Sequence, residues 1–225
     1  MYASPNAGVG GDLGPIVIPS VLPLFPLPNT VFFPKTYLPL HVFEPRYRQM
    51  VRDAAAGHRM VGMVLLKDGW ESDYEGQPPI FTVGAVGRMV AVQHLSDGRF
   101  NVLLQGLRRF EIQDEIGCES YRQGRIMVKE YPPLQAMLPP ELRSELQKIA
   151  GNFLLSREDG MALANFLKQP VDDEALVQNL SFGIDFTPLE KQFLLEADTL
   201  IQQARRILDL LQFKRYERND LAGWG

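Results

Sequence analysis

The segment from Leu22 to Arg48 limits the possible folds most strongly, because closely spaced prolines separate two short apolar runs and a helix start. Leu22 to Phe25 and Thr36 to Leu40 read as strands. The prolines between them interrupt regular pairing, since proline has no N–H for a sheet ladder. Glu44 and Pro45 suit the first turn of a helix. The segment therefore predicts a strand, a stiff connection, a second strand and a helix, in that order.

Alternating apolar and polar side chains extend the β pattern to about residue 131. The patterns predict further strands at Met60 to Lys67, Phe81 to His94, Phe100 to Leu107 and Tyr121 to Tyr131, and one helix at Glu44 to Ala56. Asp97 and Gly98 suit a hairpin turn, because glycine accepts a positive φ. We therefore predict a β domain over residues 21–133, preceded by a disordered glycine-rich tail at residues 1–20.

Paired prolines at 132–133 and 139–140 mark a change in composition, after which apolar residues recur at helical spacing. Helices are predicted at Glu141 to Leu155, Gly160 to Leu167, Asp172 to Phe182 and Thr187 to Arg218. The last begins with a capping box, Thr187 and Glu190, and its apolar stripe includes Leu189, Phe193 and Leu211. The patterns predict an all-helical bundle over 134–218 that ends in a long helix, and a mobile C-terminus at 219–225.

Three separated segments resemble one known family in order and spacing. They are Leu22 to Arg48, Val83 to Ile112 with its Asp-Gly turn, and Thr187 to Leu211. Over roughly Val21 to Phe213 the chain is similar to the Lon N-terminal domain, the substrate-binding part of the ATP-dependent protease Lon. The resemblance implies an α+β fold, with a PUA-like β-barrel-type domain, as also in cereblon, followed by helices. It also implies substrate recognition without ATPase or peptidase activity, and the sequence contains no phosphate-binding loop.

Composition and charge narrow the classes of partner. Lys plus Arg number 23 against 27 Asp plus Glu, and residues 1–138 hold equal numbers of each sign. Such a balance does not favour nucleic acid, which binds mainly through phosphate neutralisation. A nucleic-acid-binding PUA-like protein is the alternative function, because the β domain resembles the PUA-like folds of RNA-binding proteins. No run approaches the roughly 18 apolar residues of a membrane span, so no membrane partner is expected. The single cysteine is typical of a reducing compartment and predicts a cytoplasmic location.

The sequence presents no reactive constellation. His41, His58 and His94 have no metal-ligand spacing to one another or to Cys118. Cys118 lies beside Glu119, whose charge discourages a thiolate. The Gly-x-Ser-x-Gly elbow of many hydrolases does not occur. We therefore expect no catalytic residue, no metal and no cofactor.

Clustered aromatic residues mark the candidate binding surface. Phe32 and Phe33 lie in the proline-bounded connection and Tyr37 begins the next strand. Because connections run over the surface, we predict that these three contact a polypeptide, with Trp70 as a further member. The alternative for each phenylalanine is that it plugs the end of the β domain. The predicted function is non-enzymatic binding of an unfolded or partner polypeptide, along a strand edge or in the cleft against the helices, with the oligomeric state left open.

Overall fold

The computed structural model describes residues 16–222 except 74–75, 118–119, 133–135 and 158–159, and it does not describe the side chains of 72–73 and 217–222. The strands are β1 (Val21–Leu27), β2 (Tyr37–Val42), β3 (Met60–Leu65), β4 (Val83–His94), β5 (Phe100–Ile116) and β6 (Gln123–Lys129). The α-helices are α1 (Pro45–Ala56), α2 (Pro140–Leu155), α3 (Met161–Phe166), α4 (Asp173–Gly183), α5 (Pro188–Leu195) and α6 (Leu200–Ala222). A short 3-10 helix covers Trp70–Asp73. The predicted α+β class is confirmed, whereas residues 1–15, Cys118 and residues 223–225 lie outside the described residues.

The six strands form one sheet in the order β2-β5-β4-β3-β1-β6, and β5 also pairs with β6. Five strands therefore pair in a closed circuit, from which β2 branches at β5. β1 and β3 run parallel, while the other pairs are antiparallel. Because β5 has three partners, the sheet departs from the simple barrel-type form that the resemblance implies.

β5 runs to Ile116, well beyond its predicted end at Leu107. A register shift between Ile112 and Asp114 lets its second half follow β6. Gly106 permits a close approach, since a Cβ there would lie 2.0 Å from the carbonyl oxygen of Phe33. The long strand thereby brings the proline-bounded connection, β2, β4 and β6 together.

Three clusters of buried apolar side chains hold the elements together. The α1 core packs α1 against β1 to β5 and includes Met50 and Leu104. The circuit core contains residues of all five strands of the circuit, such as Phe110. The helical core joins the helices after residue 137 to Leu65 and Val83 of the sheet and to Phe33 of the proline-bounded connection. The helices therefore share a core with the sheet, while the predicted boundary between 133 and 134 stays a prediction.

The region predicted as one helix from Thr187 to Arg218 forms two helices. α5 begins with the predicted capping box of Thr187 and Glu190. The helical pattern stops after Leu195, and the Oγ1 atom of Thr199 accepts a hydrogen bond from Gln202 N at the start of α6. A second N-cap thus starts α6 as a separate helix.

The break between α5 and α6 also changes which side chains are buried. Leu189 and Phe193, predicted in the buried stripe, are about half exposed. The part of the stripe on α6, including Leu200, Ile207 and Leu211, is buried in the helical core. The prediction is wrong for α5 because a stripe drawn through an unbroken helix does not follow the turn at 196–199.

Candidate functional site

Both phenylalanines of the proline-bounded connection are buried. Phe32 is 1% exposed, belongs to the α1 core and meets Phe182 edge-on with ring centroids 6.3 Å apart. Phe33 is 0% exposed and belongs to the helical core. The prediction that these rings point outward to meet a polypeptide is wrong. The helices offer both rings an apolar partner, and burial of such a side chain stabilises the fold by about 1.5–3 kcal/mol.

The other two predicted binding residues lie in different settings. Tyr37 is 54% exposed, and its hydroxyl accepts a hydrogen bond from Gln105 Nε2 at 3.2 Å. Trp70 is half-buried and packs against the circuit core. The structure therefore does not bring the four predicted residues together. Contact of Tyr37 or Trp70 with a polypeptide stays a prediction. Because Tyr37 is exposed, the surface around it is a candidate binding surface.

Tyr37 lies on one face of the three adjacent strands β2, β5 and β4. Leu40, Val102 and Met89 on these strands turn to the opposite face and enter or line the α1 core. The intervening residues point away from that core, and we call their surface the open face: Tyr37, Pro39, His41, Arg88, Ala91, Gln93, Asn101, Leu103 and Gln105. Its centre is a shallow depression of about 470 Å³.

Strand register arranges the open face into three rows that cross the strands. The apolar row is Pro39, Leu103 and Ala91; the amide row is His41, Asn101 and Gln93; and the tyrosine row is Tyr37, Gln105 and Arg88. On β2 and β5 each polar row is two residues along the strand from the apolar row, a distance of about 6.7 Å. On β4 a bulge between Met89 and Ala91 makes the step from Ala91 to Arg88 three residues. The face is therefore an apolar strip bordered on both sides by polar groups.

The side chains of the amide row bond to one another. His41 Nδ1 and Asn101 Oδ1 are 2.8 Å apart, and Asn101 Nδ2 donates to Gln93 Oε1 at 3.0 Å. Arg99 Nη1 lies 3.2 Å from His41 Nε2, which leaves the imidazole proton on Nδ1. An amide has two N–H donors and an oxygen with two lone pairs, so this row uses only part of its capacity.

The charges on and beside the open face are cationic or neutralised. The three rows contain Arg88 and no carboxylate. Asp97, in the turn that joins β4 and β5, pairs with Arg99 at 2.5 Å. Hydrogen bonds from Arg99 lower the pKa of Asp97 to about 2. The surface therefore suits neutral or acidic segments better than basic ones.

The outer edge of β2 is interrupted. In the described part of the chain, β2 pairs with β5 only. Thr36 O accepts a hydrogen bond from Gly106 N, so the backbone groups of Tyr37, Pro39 and His41 face away from β5. Pro39 has no N–H, which removes the central donor from this edge. Such an edge resists pairing with another strand.

Buried polar groups connect the sheet to the helices. Arg109, 2% exposed, donates from Nη1 to the carbonyl oxygens of Leu195 and Ala197 at 3.0 and 2.5 Å. Its guanidinium lies 4.0 Å from the ring centre of Tyr131, whose hydroxyl donates to Gln203 Oε1. Burial lowers the pKa of Arg109, while the carbonyls that end α5 favour a cation. We call these five residues the junction, and their polar groups are directed at one another.

A cleft of about 310 Å³ lies between β1, the start of α1 and the β5–β6 connection. Arg122 in its wall binds Glu115 through contacts of 2.6 and 2.7 Å, and Arg46 pairs with Glu44 at 3.0 Å. These paired charges give the cleft no marked preference for an anion.

Over the described residues, no group of three His, Cys, Asp or Glu side chains is arranged for a metal ion. None of the described helices combines the length and apolar character needed to cross a bilayer.

Residues 21–212 match the family model described as the ATP-dependent protease La (LON) substrate-binding domain. The chain belongs to this family. Its relatives include the Lon protease of Anaeromyxobacter dehalogenans, 29% identical over 95% of this chain and 26% of that protein. Lon protease 2 of Myxococcus xanthus is 28% identical over 88% of this chain and 24% of that protein. The chain therefore spans about a quarter of the length of these relatives.

Two solved structures share the fold. The Lon N-terminal domain protein from Xanthomonas campestris has a TM-score of 0.63 and 25% identity, over 84% of this chain and 97% of that one. The N-terminal domain of Mycobacterium avium complex Lon protease has a TM-score of 0.64 and 19% identity, over 85% of this chain and 98% of that one. The arrangement of sheet and helices is therefore that of a Lon N-terminal domain.

Proposed function

We propose that this protein is a non-enzymatic recognition module that binds unfolded polypeptide on its open face. Membership of the Lon substrate-binding family over residues 21–212 carries this proposal. The ATPase and peptidase of full-length Lon are not part of what is matched, so the proposed activity is binding alone.

The open face supports the proposal through its exposed apolar groups. Pro39 and Ala91 are exposed beside half-buried Leu103, and Tyr37 and Val90 extend the apolar area. Exposed apolar patches on proteins tend to mark interaction sites. An unfolded chain supplies the matching apolar side chains, which a folded protein conceals.

Nucleic-acid binding gains less support from the arrangement of charges. Five basic residues of the strands and their connections have acidic partners, in the pairs Arg99–Asp97, Arg108–Glu130, Arg122–Glu115, Arg125–Asp114 and Lys129–Glu111. Such pairing reduces the positive potential that phosphates require. A filter-binding assay with single-stranded RNA at low salt tests this alternative. The cytoplasmic location, which follows from the single cysteine, stays a prediction.

The test of polypeptide binding is an anisotropy titration with fluorescein-labelled α-lactalbumin, either reduced and carboxymethylated or native. We expect binding of the unfolded form only. Leu103→Asp places a charge in the apolar row and should weaken this binding at least about tenfold, or 1.4 kcal/mol. Met127→Asp is the matched control, because Met127 is likewise an apolar strand residue that reaches solvent but lies on β6.

Thermal melts establish that both variants stay folded. Equal binding of native and unfolded α-lactalbumin, or binding of neither, contradicts the proposed function. Equal loss in the Leu103 and Met127 variants would leave the function standing and move its site away from the open face.

A further inference from the structure

The three rows of the open face match the layout of an extended peptide laid across the strands. Adjacent strands lie about 4.8 Å apart, so β2, β5 and β4 together span roughly 10 Å from first to last. An extended chain rises about 3.3 Å per residue, so about three residues cover the apolar row. The polar rows then lie on both sides of the peptide, where its N–H and C=O groups point.

We propose that the open face recognises the main chain of an uncharged, extended segment about three residues long, which crosses the strands along the apolar row. This inference rests on the proposed function and specifies its ligand. Gln93, Asn101 and Gln105 pair with the peptide N–H and C=O groups, while Leu103 and its neighbours contact the side chains. Because each amide both donates and accepts, the pairing is independent of the peptide sequence.

The charges select against basic segments. Arg88 lies in the tyrosine row, and Arg99 contacts the amide row through His41. Asp97 is held by Arg99 and offers little to a ligand cation. A lysine in the bound segment therefore meets like charge and loses hydration without a partner, whereas an apolar residue does not.

The interrupted edge of β2 decides against the alternative route, in which the polypeptide adds as a further strand. A strand added there would find N–H donors at Tyr37 and His41 but none at Pro39 between them. The open face has no such gap. Binding across the strands therefore makes fuller use of the available hydrogen-bonding groups.

The test measures how well short peptides compete with labelled unfolded α-lactalbumin for binding to this protein. A Gly-Ser peptide with a central Val-Leu-Val is compared with its form N-methylated at the central amides and with a Lys-Leu-Lys version. We expect N-methylation to weaken competition about tenfold, because it removes main-chain donors, and the lysine version to compete at least as poorly. In the double variant Asn101→Leu and Gln105→Met, both Val-Leu-Val peptides should compete equally. Gln113→Met, at an exposed site on the same strand, should preserve the preference.

The outcomes separate this inference from the proposed function. If labelled α-lactalbumin binds but N-methylation has no effect, or no short peptide competes, main-chain recognition is wrong while polypeptide binding stands. A preference that persists in the folded double variant also overturns the assignment of the amides. Failure of unfolded α-lactalbumin to bind at all overturns both.

Discussion

The open face and the junction are both built on β5, yet they use polar groups in opposite ways. At the junction, Arg109 is buried and Tyr131 is half-buried, and both direct their donors to the helices. On the open face, Asn101 and Gln105 stand among exposed or half-buried neighbours and retain hydrogen-bonding capacity. One strand thus contacts the helices at its middle and carries the proposed ligand surface near its start.

Burial determines whether a polar group contributes to stability or is available for recognition. Polar groups that are buried must be satisfied within the protein, because an unpaired buried group costs about 1–3 kcal/mol. Polar groups on an exposed sheet face carry no such requirement and remain available to a partner. Substitutions at the junction should therefore change the free energy of unfolding, and substitutions on the open face should change binding.

The largest expected difference in stability is between variants of Phe33 and Tyr37, two aromatic residues that are close in sequence. Phe33→Ala should lower the free energy of unfolding by about 3–5 kcal/mol, because it empties a site in the helical core. Tyr37→Ala should change it by less than about 0.5 kcal/mol and weaken binding of unfolded α-lactalbumin. Urea denaturation of the two variants measures both values. Similar losses of stability would erase the distinction between core and open face.

A smaller effect is expected for the buried cation of the junction. Arg109→Met leaves the carbonyls of Leu195 and Ala197 without their donor and should cost about 2–4 kcal/mol. Arg108→Met is the control, since Arg108 is exposed and its pair with Glu130 is worth about 0–1 kcal/mol. Equal urea midpoints for the two variants would show that the junction does not hold the helices.

The smallest effect is expected where the contact between sheet and helices reaches solvent. Lys35 bridges to Asp172 and Glu174 at 2.9 and 3.0 Å, with about a third of its side chain exposed. Lys35→Met should cost no more than about 1 kcal/mol, and the difference from the parent should shrink in 1 M salt. A loss as large as that of Arg109→Met, insensitive to salt, would mean that the bridge is part of the buried junction.

The order of the elements could be predicted because their signals are local. Prolines, the Asp-Gly turn and the Thr187 capping box each act within a few residues, and the structure has them at the predicted places. The break before α6 also had a local signal, since Thr199 and Gln202 have capping-box spacing. The apolar spacing on both sides of this break nevertheless favours one continuous helix, so the pattern predicts no break.

The candidate site could not be predicted in the same way, because it depends on pairing between distant strands. The alternation from Tyr37 to Val42 indicates which β2 residues share a face, but not that Pro39 lies beside Leu103. Burial of Phe32 and Phe33 likewise depends on helices far along the chain. The local sequence pattern of a proline-bounded aromatic pair is the same whether or not distant helices cover the two rings.

We propose that recognition uses the open-face amides, whereas Gln203 at the junction and the buried Gln178 beside it stay bonded to each other within the protein. Side-chain NH₂ resonances in ¹⁵N-labelled protein report on both sets as unfolded α-lactalbumin is added. We expect shifts for Gln93, Asn101 and Gln105 that saturate with the anisotropy titration, and unchanged resonances for Gln178 and Gln203. Saturating shifts at the junction, with the open-face amides unmoved, would contradict this proposal.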